Sequence, residues 1–153
     1  MVCLERDFEP SDGARALPNV NLVIRRLPTV TDDRGSLSVC EFAEHTPFTP
    51  QRLFFIHGVP QGTHRGGHAH KACHQLFVCV KGSLRLGVDN GTEQMTYQLD
   101  DPSIGYFVPA GLWNDLSEFE PGTVLLVLAS HPYDPDDYIR DHAGFIDWVA
   151  THA

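Results

Sequence analysis

The stretch Gly62-Thr63-His64-Arg65-Gly66-Gly67-His68-Ala69-His70-Lys71, continued by Cys73-His74-Gln75-Leu76-Phe77-Val78-Cys79-Val80, decides the fold. Four of the nine histidines lie between positions 64 and 74. His68 and His70 stand two apart, and apolar, β-branched and aromatic residues follow them, which marks a strand. On a strand, residues i and i+2 leave the same face with Cα atoms roughly 6.5–7 Å apart. Both imidazoles are therefore expected to enter one cavity side by side. Gln75 is in step with Phe77 and Cys79, and is expected to face the same cavity.

Upstream of this stretch, residues 21–27, 37–42 and 51–57 read as strands. Residues 31–36 form a polar turn, and Pro47 and Pro50 interrupt the pattern. Downstream, residues 76–80, 84–88, 96–99, 104–108 and 123–130 form further strand candidates between turn signals, with residues 112–119 before the last of them. The 123–130 run is apolar on both faces and is expected at the centre of a sheet. Asp89-Asn90-Gly91 is a strong hairpin signal, because Asn-Gly accepts the positive φ of a tight turn. Helical signals are confined to the end, as one turn near 134–140 and a short helix near 144–149. Short strands at regular spacing argue an all-β sandwich or barrel.

The length of 153 residues fits one domain, and 42% apolar residues supply its core. Residues 1–18 carry charges, two prolines and little periodicity, and are expected to be an N-terminal arm to a single domain over 19–153. A formal charge of −9 argues against nucleic-acid binding, so an anionic ligand needs arginines placed locally. Cys3, Cys40, Cys73 and Cys79 form no CxxC pair or zinc-type spacing, and are expected to be reduced thiols of a cytoplasmic protein. The first residues hold no apolar signal core, and no run approaches the ~18 apolar residues of a membrane span. A soluble protein with no membrane partner is expected.

Gly62, His68, His70 and Gly82 fall in register with the first motif of the cupin superfamily, and Pro109-Ala110-Gly111 with part of the second. The resemblance spans most of residues 51–130 and implies a cupin jelly-roll β-barrel with a short C-terminal helix. Metal-dependent cupins typically use three histidines and a glutamate. Here the glutamate position is Gln75 and the third histidine position is Asn114. Neutral amides are weak ligands for transition metals, so a metal-independent site with no cofactor is expected.

A narrower resemblance appears when Asp33-Arg34-Gly35-Ser36-Leu37, Arg65–Lys71, Val80-Lys81-Gly82-Ser83, Val127-Leu128-Ala129-Ser130 and Asp137-Tyr138-Ile139-Arg140 are taken in order. Together they resemble the dTDP-sugar 3,4-ketoisomerase family, the FdtA/QdtA or WxcM-like group, over about residues 20–148. This resemblance implies conversion of dTDP-4-keto-6-deoxyglucose to a 3-keto isomer without a metal, for deoxysugar and glycan biosynthesis. It also implies a homodimer with exchanged N-terminal strands.

Such an isomerisation needs a base at C3, an acid at C4 and a proton moved between O3 and O4 through an enediol. Imidazoles serve both roles near neutral pH. His70 is taken as the carbon base and His68 as its partner for the oxygen proton or the reprotonation, an order that is reversible at this stage. Gln75 and Asn114 are candidates to hydrogen-bond the sugar. Arg34 and Arg65 are favoured for the diphosphate over Arg52 and Arg85, and Trp113 is a candidate to stack on base or sugar. Related enzymes carry a tyrosine in the segment matching residues 52–56, where this chain has Phe54 and Phe55. Tyr106, His64 or water are candidates to replace it. A nucleotide-sugar 3,5-epimerase and a non-catalytic sugar-binding cupin are the competing readings.

Overall fold

The computed structural model describes residues 22–152; the expected arm over 1–18 lies outside them. The fold rests on twelve strands and one terminal helix among the described residues. One sheet contains β1 (Val23–Arg26), β4 (Arg52–His57), β6 (Gln75–Lys81), β9 (Ile104–Val108) and β11 (Val124–Ala129), in the order β1-β9-β6-β11-β4. The other contains β5 (Arg65–His70), β7 (Leu84–Asp89), β8 (Gln94–Leu99), β10 (Trp113–Ser117) and the two-residue β12 (Tyr138–Ile139), in the order β12-β5-β10-β7-β8. These two sheets are the all-β jelly roll expected of a cupin, built as a pair of sheets, and helix α1 (His142–His152) closes the chain.

Alternation places the core between the sheets. Phe77 and Cys79 of β6, Leu86 and Val88 of β7, and Leu125 and Val127 of β11 join one buried cluster. Leu76 and Leu128 point the other way, into a smaller cluster with Phe107, against which Phe48 and Cys40 pack. β6 and β11 are thus covered on both sides, as the continuous apolar run at 123–130 required. Phe145 is fully buried and anchors α1.

The polar segment at 31–36 differs from the turn expected of it. β2 (Thr29–Asp32) and β3 (Gly35–Ser38) form a separate antiparallel hairpin whose turn is only Asp33-Arg34. Hydroxyl pairs Thr29–Ser38 and Thr31–Ser36 bridge it at 2.8 Å. Every residue of both strands is exposed, so no burial pattern marked them in the sequence. The strand expected over 37–42 accordingly ends at Ser38.

The turn after β6 is tightly specified. Gly82 has φ +76°, and a Cβ there would lie 2.8 Å from the Thr123 Cα. The Thr123 hydroxyl accepts from the Ser83 amide at 3.1 Å and donates to main-chain oxygens of Ser83 and Glu120. Gly82→Ala combines strain at positive φ with a backbone clash. It is expected to lower unfolding stability by more than about 1 kcal/mol in chemical denaturation, with the slope against denaturant unchanged.

Candidate active site

Position 137 organises the site. Asp134 caps a single 3-10 turn, Pro135–Asp137, by accepting from the Asp136 amide at 2.9 Å. That turn delivers the Asp137 carboxylate beneath the end of β5. Its Oδ1 accepts from the Ala72 amide at 2.7 Å, and its Oδ2 from the Cys73 amide at 3.3 Å. Oδ2 also lies 2.7 Å from Nδ1 of His70. A carboxylate held by two amides is an acceptor only, so the network assigns the proton of this bond to Nδ1. The lone pair of neutral His70 is then on Nε2. That nitrogen is buried and has no hydrogen-bond partner, a state that costs about 1–3 kcal/mol and calls for explanation.

The two cupin half-motifs meet at the same place. The Gly111 amide donates to the His70 carbonyl at 2.8 Å, and the Ala110 amide to Nδ1 of His74 at 3.0 Å. Asn114 of β10 pairs in register with His68 of β5. One residue further the register slips, and Asp115 pairs with Gly66. The slip is a β-bulge carried by Gly66 (φ +73°) and Gly67 (φ +69°). In a regular strand Arg65 and His68, three apart, would face opposite ways; with the bulge both line the same cavity.

That cavity holds about 200 Å³. Its polar lining is Arg65, His68, Gln75, Asn114 and Tyr138, and Phe54, Phe55, Phe77 and Leu116 form an apolar wall. It has room for a sugar ring and not for a whole nucleotide sugar, because sites for drug-sized ligands run to roughly 300–1,000 Å³. Gln75 and Asn114 are 3% and 2% exposed, and neither side chain has a protein hydrogen bond among the described residues. Buried amides with free donors and acceptors beside a cavity are fitted to hydroxyl and carbonyl oxygens.

The histidine rings meet edge to face, with centroids 5.0 Å apart. Tyr138 stands opposite His70 in the β12–β5 register. Its ring packs 4.9 Å from that of His68 and 4.4 Å from that of His70. Both rings pack against that of His70. Burial, the neighbouring His70 and Arg140 push the His68 pKa down to about 4. Burial also lowers that of His70, opposed by the hydrogen bond and charge of Asp137. Burial alone would raise the Asp137 carboxyl, but His70 and the two amides outweigh it and hold it below the ordinary carboxylate range. His68 is therefore a neutral, weak base at pH 7, and His70 is the imidazole whose protonated form a carboxylate stabilises.

The structure gathers only part of the expected set. His68, Arg65, Gln75 and Asn114 line the cavity, with His70 directly behind them. Arg34 stands on the exposed hairpin, paired with Asp32 at 2.5 Å, and is not in the lining. Arg52 lies over the Phe54 and Tyr133 rings, 5.3 and 5.6 Å from their centroids, close enough to act on the charge of His70. Arg85 pairs with Glu118 at 2.7 Å. Trp113 faces away from the cavity and packs on Phe145 and His142 of α1. Adjacent strand residues point to opposite faces, so Trp113 and Asn114 cannot share one cavity. The Tyr106 hydroxyl donates to the Gln98 carbonyl at 3.1 Å, and His64 is exposed; neither lines the cavity.

Two residues enter that the sequence reading passed over. Asp137 and Tyr138 figure there only as residues of the one turn near 134–140 and of the family segment within it. The available signal was Asp137-Tyr138 as a pair within Asp137-Tyr138-Ile139-Arg140, where an aromatic follows an acid directly before a chain reversal. Among the described residues, one ligand atom each from His70, Cys73 and Asp137 lie within 4.8 Å of one another. Nδ1 of His70 and both Asp137 oxygens are already engaged in the hydrogen bonds above.

Comparison with known proteins gives a consistent picture. A family model described as "FdtA: WxcM-like, C-terminal" matches residues 20–150. The TDP-4-oxo-6-deoxy-alpha-D-glucose-3,4-oxoisomerase of Aneurinibacillus thermoaerophilus is 36% identical over 121 residues, which cover 79% of this chain and 87% of that protein. The structure of QdtA, a sugar 3,4-ketoisomerase from Thermoanaerobacterium thermosaccharolyticum in complex with TDP, superposes with a TM-score of 0.84 at 33% identity, covering 86% of this chain and 96% of that one. A dTDP-4-dehydrorhamnose 3,5-epimerase from Bacillus anthracis shares the fold at 17% identity, with a TM-score of 0.69 over 77% of each chain.

The electrostatics of the two histidines make folding sensitive to acid. Each binds a proton less readily in the folded chain than in the unfolded one. Their contribution to stability is therefore full above about pH 6.5 and is lost as the pH falls toward 4, the value for His68. Thermal melts should show the melting temperature falling steadily across that window, and less so in His68→Asn. In Asp137→Asn, NMR titration should find the His70 pKa lower than in the parent, because the opposing carboxylate charge is gone.

Proposed function

The chain belongs to the FdtA (WxcM-like, C-terminal) family, and on that footing we propose that it is a nucleotide-sugar 3,4-ketoisomerase acting on a TDP-linked 4-keto-6-deoxyhexose. The observation that carries this reading is the Asp137–His70 pair behind a sugar-sized cavity. The carboxylate fixes the tautomer that leaves Nε2 free to accept a proton. A ketone shift between adjacent carbons requires only acid–base steps of this kind.

His70 takes the proton from C3 while the C4 carbonyl becomes an enediol oxygen. Asp137 stabilises the imidazolium that forms, as the carboxylate of a hydrolase triad does for its histidine. The proton returns at C4, and the carbonyl reforms at C3. His68 faces the cavity as a neutral imidazole and supplies a hydrogen bond to a sugar oxygen. Gln75 and Asn114, with unpaired amides beside the same space, hold the remaining oxygens. Phe54 and Phe77 give an apolar wall that keeps water from the reacting carbons.

The cavity leaves the nucleotide outside the sugar pocket. Arg65 lines that pocket, and its guanidinium fork suits diphosphate oxygens. Such a local cation is what a chain of net charge −9 needs to hold an anionic substrate. The homodimer expected from the resemblance is supported by exposed Val30 and Leu37 on the hairpin and by exposed Leu53 and Phe55 on edge strand β4. Free thiols at Cys40, Cys73 and Cys79 are in keeping with a cytoplasmic location.

Incubation with TDP-4-keto-6-deoxyglucose in deuterated buffer, followed by NMR, tests the reaction. The carbonyl should move from C4 to C3, with deuterium entering at C3 or C4 and none at C5. Deuterium at C5 would instead support epimerisation. A carbonyl that stays at C4 with no carbon-bound deuterium would overturn the reading.

A further inference from the structure

His70 accounts for the carbon protons, yet the isomerisation also moves a proton from O3 to O4. His68, with its pKa pushed down to about 4, is poorly suited to carry that proton back and forth near neutral pH. Phe54 and Phe55 on the cavity wall have no proton to give. We propose that Tyr138 is the catalytic acid–base that carries the oxygen proton, an assignment that rests on the ketoisomerase reading above.

Three observations support it. The chain has four tyrosines, and Tyr138 is the one that lines the cavity. Tyr97 is buried in the core, the Tyr106 hydroxyl is bound to the Gln98 carbonyl, and Tyr133 is 60% exposed. Tyr138 is also fixed relative to the base. It follows Asp137 directly, pairs with His70 across the β12–β5 ladder and packs on both imidazoles. Finally, its hydroxyl has no protein partner among the described residues, while the Arg140 guanidinium lies 4.2 Å from its ring centroid. The phenol is free to engage a substrate oxygen, with a positive charge over the ring of the phenolate that forms in passing.

The protons and electrons balance without a co-reactant. As His70 removes the C3 proton, the C–H electron pair becomes the C3–C4 double bond. The C4 carbonyl electrons move to O4 as an enolate, and in a second step O4 takes the Tyr138 phenolic proton. The phenolate then accepts the proton of the O3 hydroxyl. The O3 electrons form the new carbonyl at C3, and the double-bond pair takes a proton at C4 from the imidazolium. Tyr138 ends as it began, and one hydrogen has moved from O3 to O4.

Tyr138→Phe separates the oxygen step from the carbon step. In deuterated buffer with TDP-4-keto-6-deoxyglucose, carbonyl relocation should slow about 10²-fold, while exchange at C3, driven by His70, should fall much less. TDP affinity should be unchanged, and Tyr106→Phe should match the parent in both rates. Relocation at the parent rate in Tyr138→Phe, or an equal fall in exchange and relocation, overturns the assignment and leaves the ketoisomerase reading standing. A parent that relocates no carbonyl overturns both. Should Tyr138→Phe not fold, 3-fluorotyrosine at position 138, nearly the same shape with a more acidic phenol, should move the alkaline limb of kcat to lower pH. An unmoved limb overturns the assignment.

Discussion

The hydrogen bond between Asp137 and His70 is the constraint on which the site depends. It spans 67 positions of sequence and joins the 3-10 turn before the last strand to β5 at 2.7 Å. Its strength comes from a carboxylate whose remaining capacity is filled by the amides of Ala72 and Cys73. His70 and these amides together hold the carboxylate ionised despite burial, and the ionised carboxylate orients the imidazole. One interaction thereby sets tautomer, ring orientation and base strength together. The same interaction ties the C-terminal segment to the sheet, since the Lys71 amide and ammonium also donate to the main-chain oxygens of Asp137 and Asp136.

Around that bond, the environment separates two chemically identical groups. His70 is buried and His68 only partly so, and only His70 has a carboxylate. A pair of equal imidazoles would compete for one proton; here their roles are divided before a ligand arrives. The orphaned Nε2 of His70 and the unpaired amides of Gln75 and Asn114 express the same economy. Each is a polar group left unmatched by protein, beside a cavity the size of a sugar ring. Such groups cost stability when empty and are matched only by a ligand bearing several oxygens.

The jelly roll makes this possible because its two sheets deliver residues from distant strands to one space. β6 brings Gln75, β10 brings Asn114, and the bulge at Gly66-Gly67 turns Arg65 and His68 onto a common face. The outer face of the second sheet is a different environment. Trp113 lies there under α1, with Asp89 bound to His142 at 2.8 Å, and contributes packing to the fold.

Much of this was legible in the chain itself. Strand alternation from Leu76 to Ser130, the Asn90-Gly91 turn and the paired glycines before His68 fixed the sheets, because burial on one face writes itself into sequence with period two. The step of two between His68 and His70, and the same step joining Gln75 to Phe77, put three site residues on interior faces for the same reason. The exposed β2–β3 hairpin left no such pattern, so a turn was expected where strands exist. The roles of Asp137 and Tyr138 lay beyond local pattern altogether. An aspartate in an acidic turn reads as solvated until a strand pairing brings it under a buried imidazole. A tyrosine reads as packing until the ladder sets it across from that same ring. Sequence determined which faces would be inside; tertiary structure decided which charges and hydroxyls meet there, because those contacts arise from pairing between segments about 67 residues apart, where no periodicity reaches.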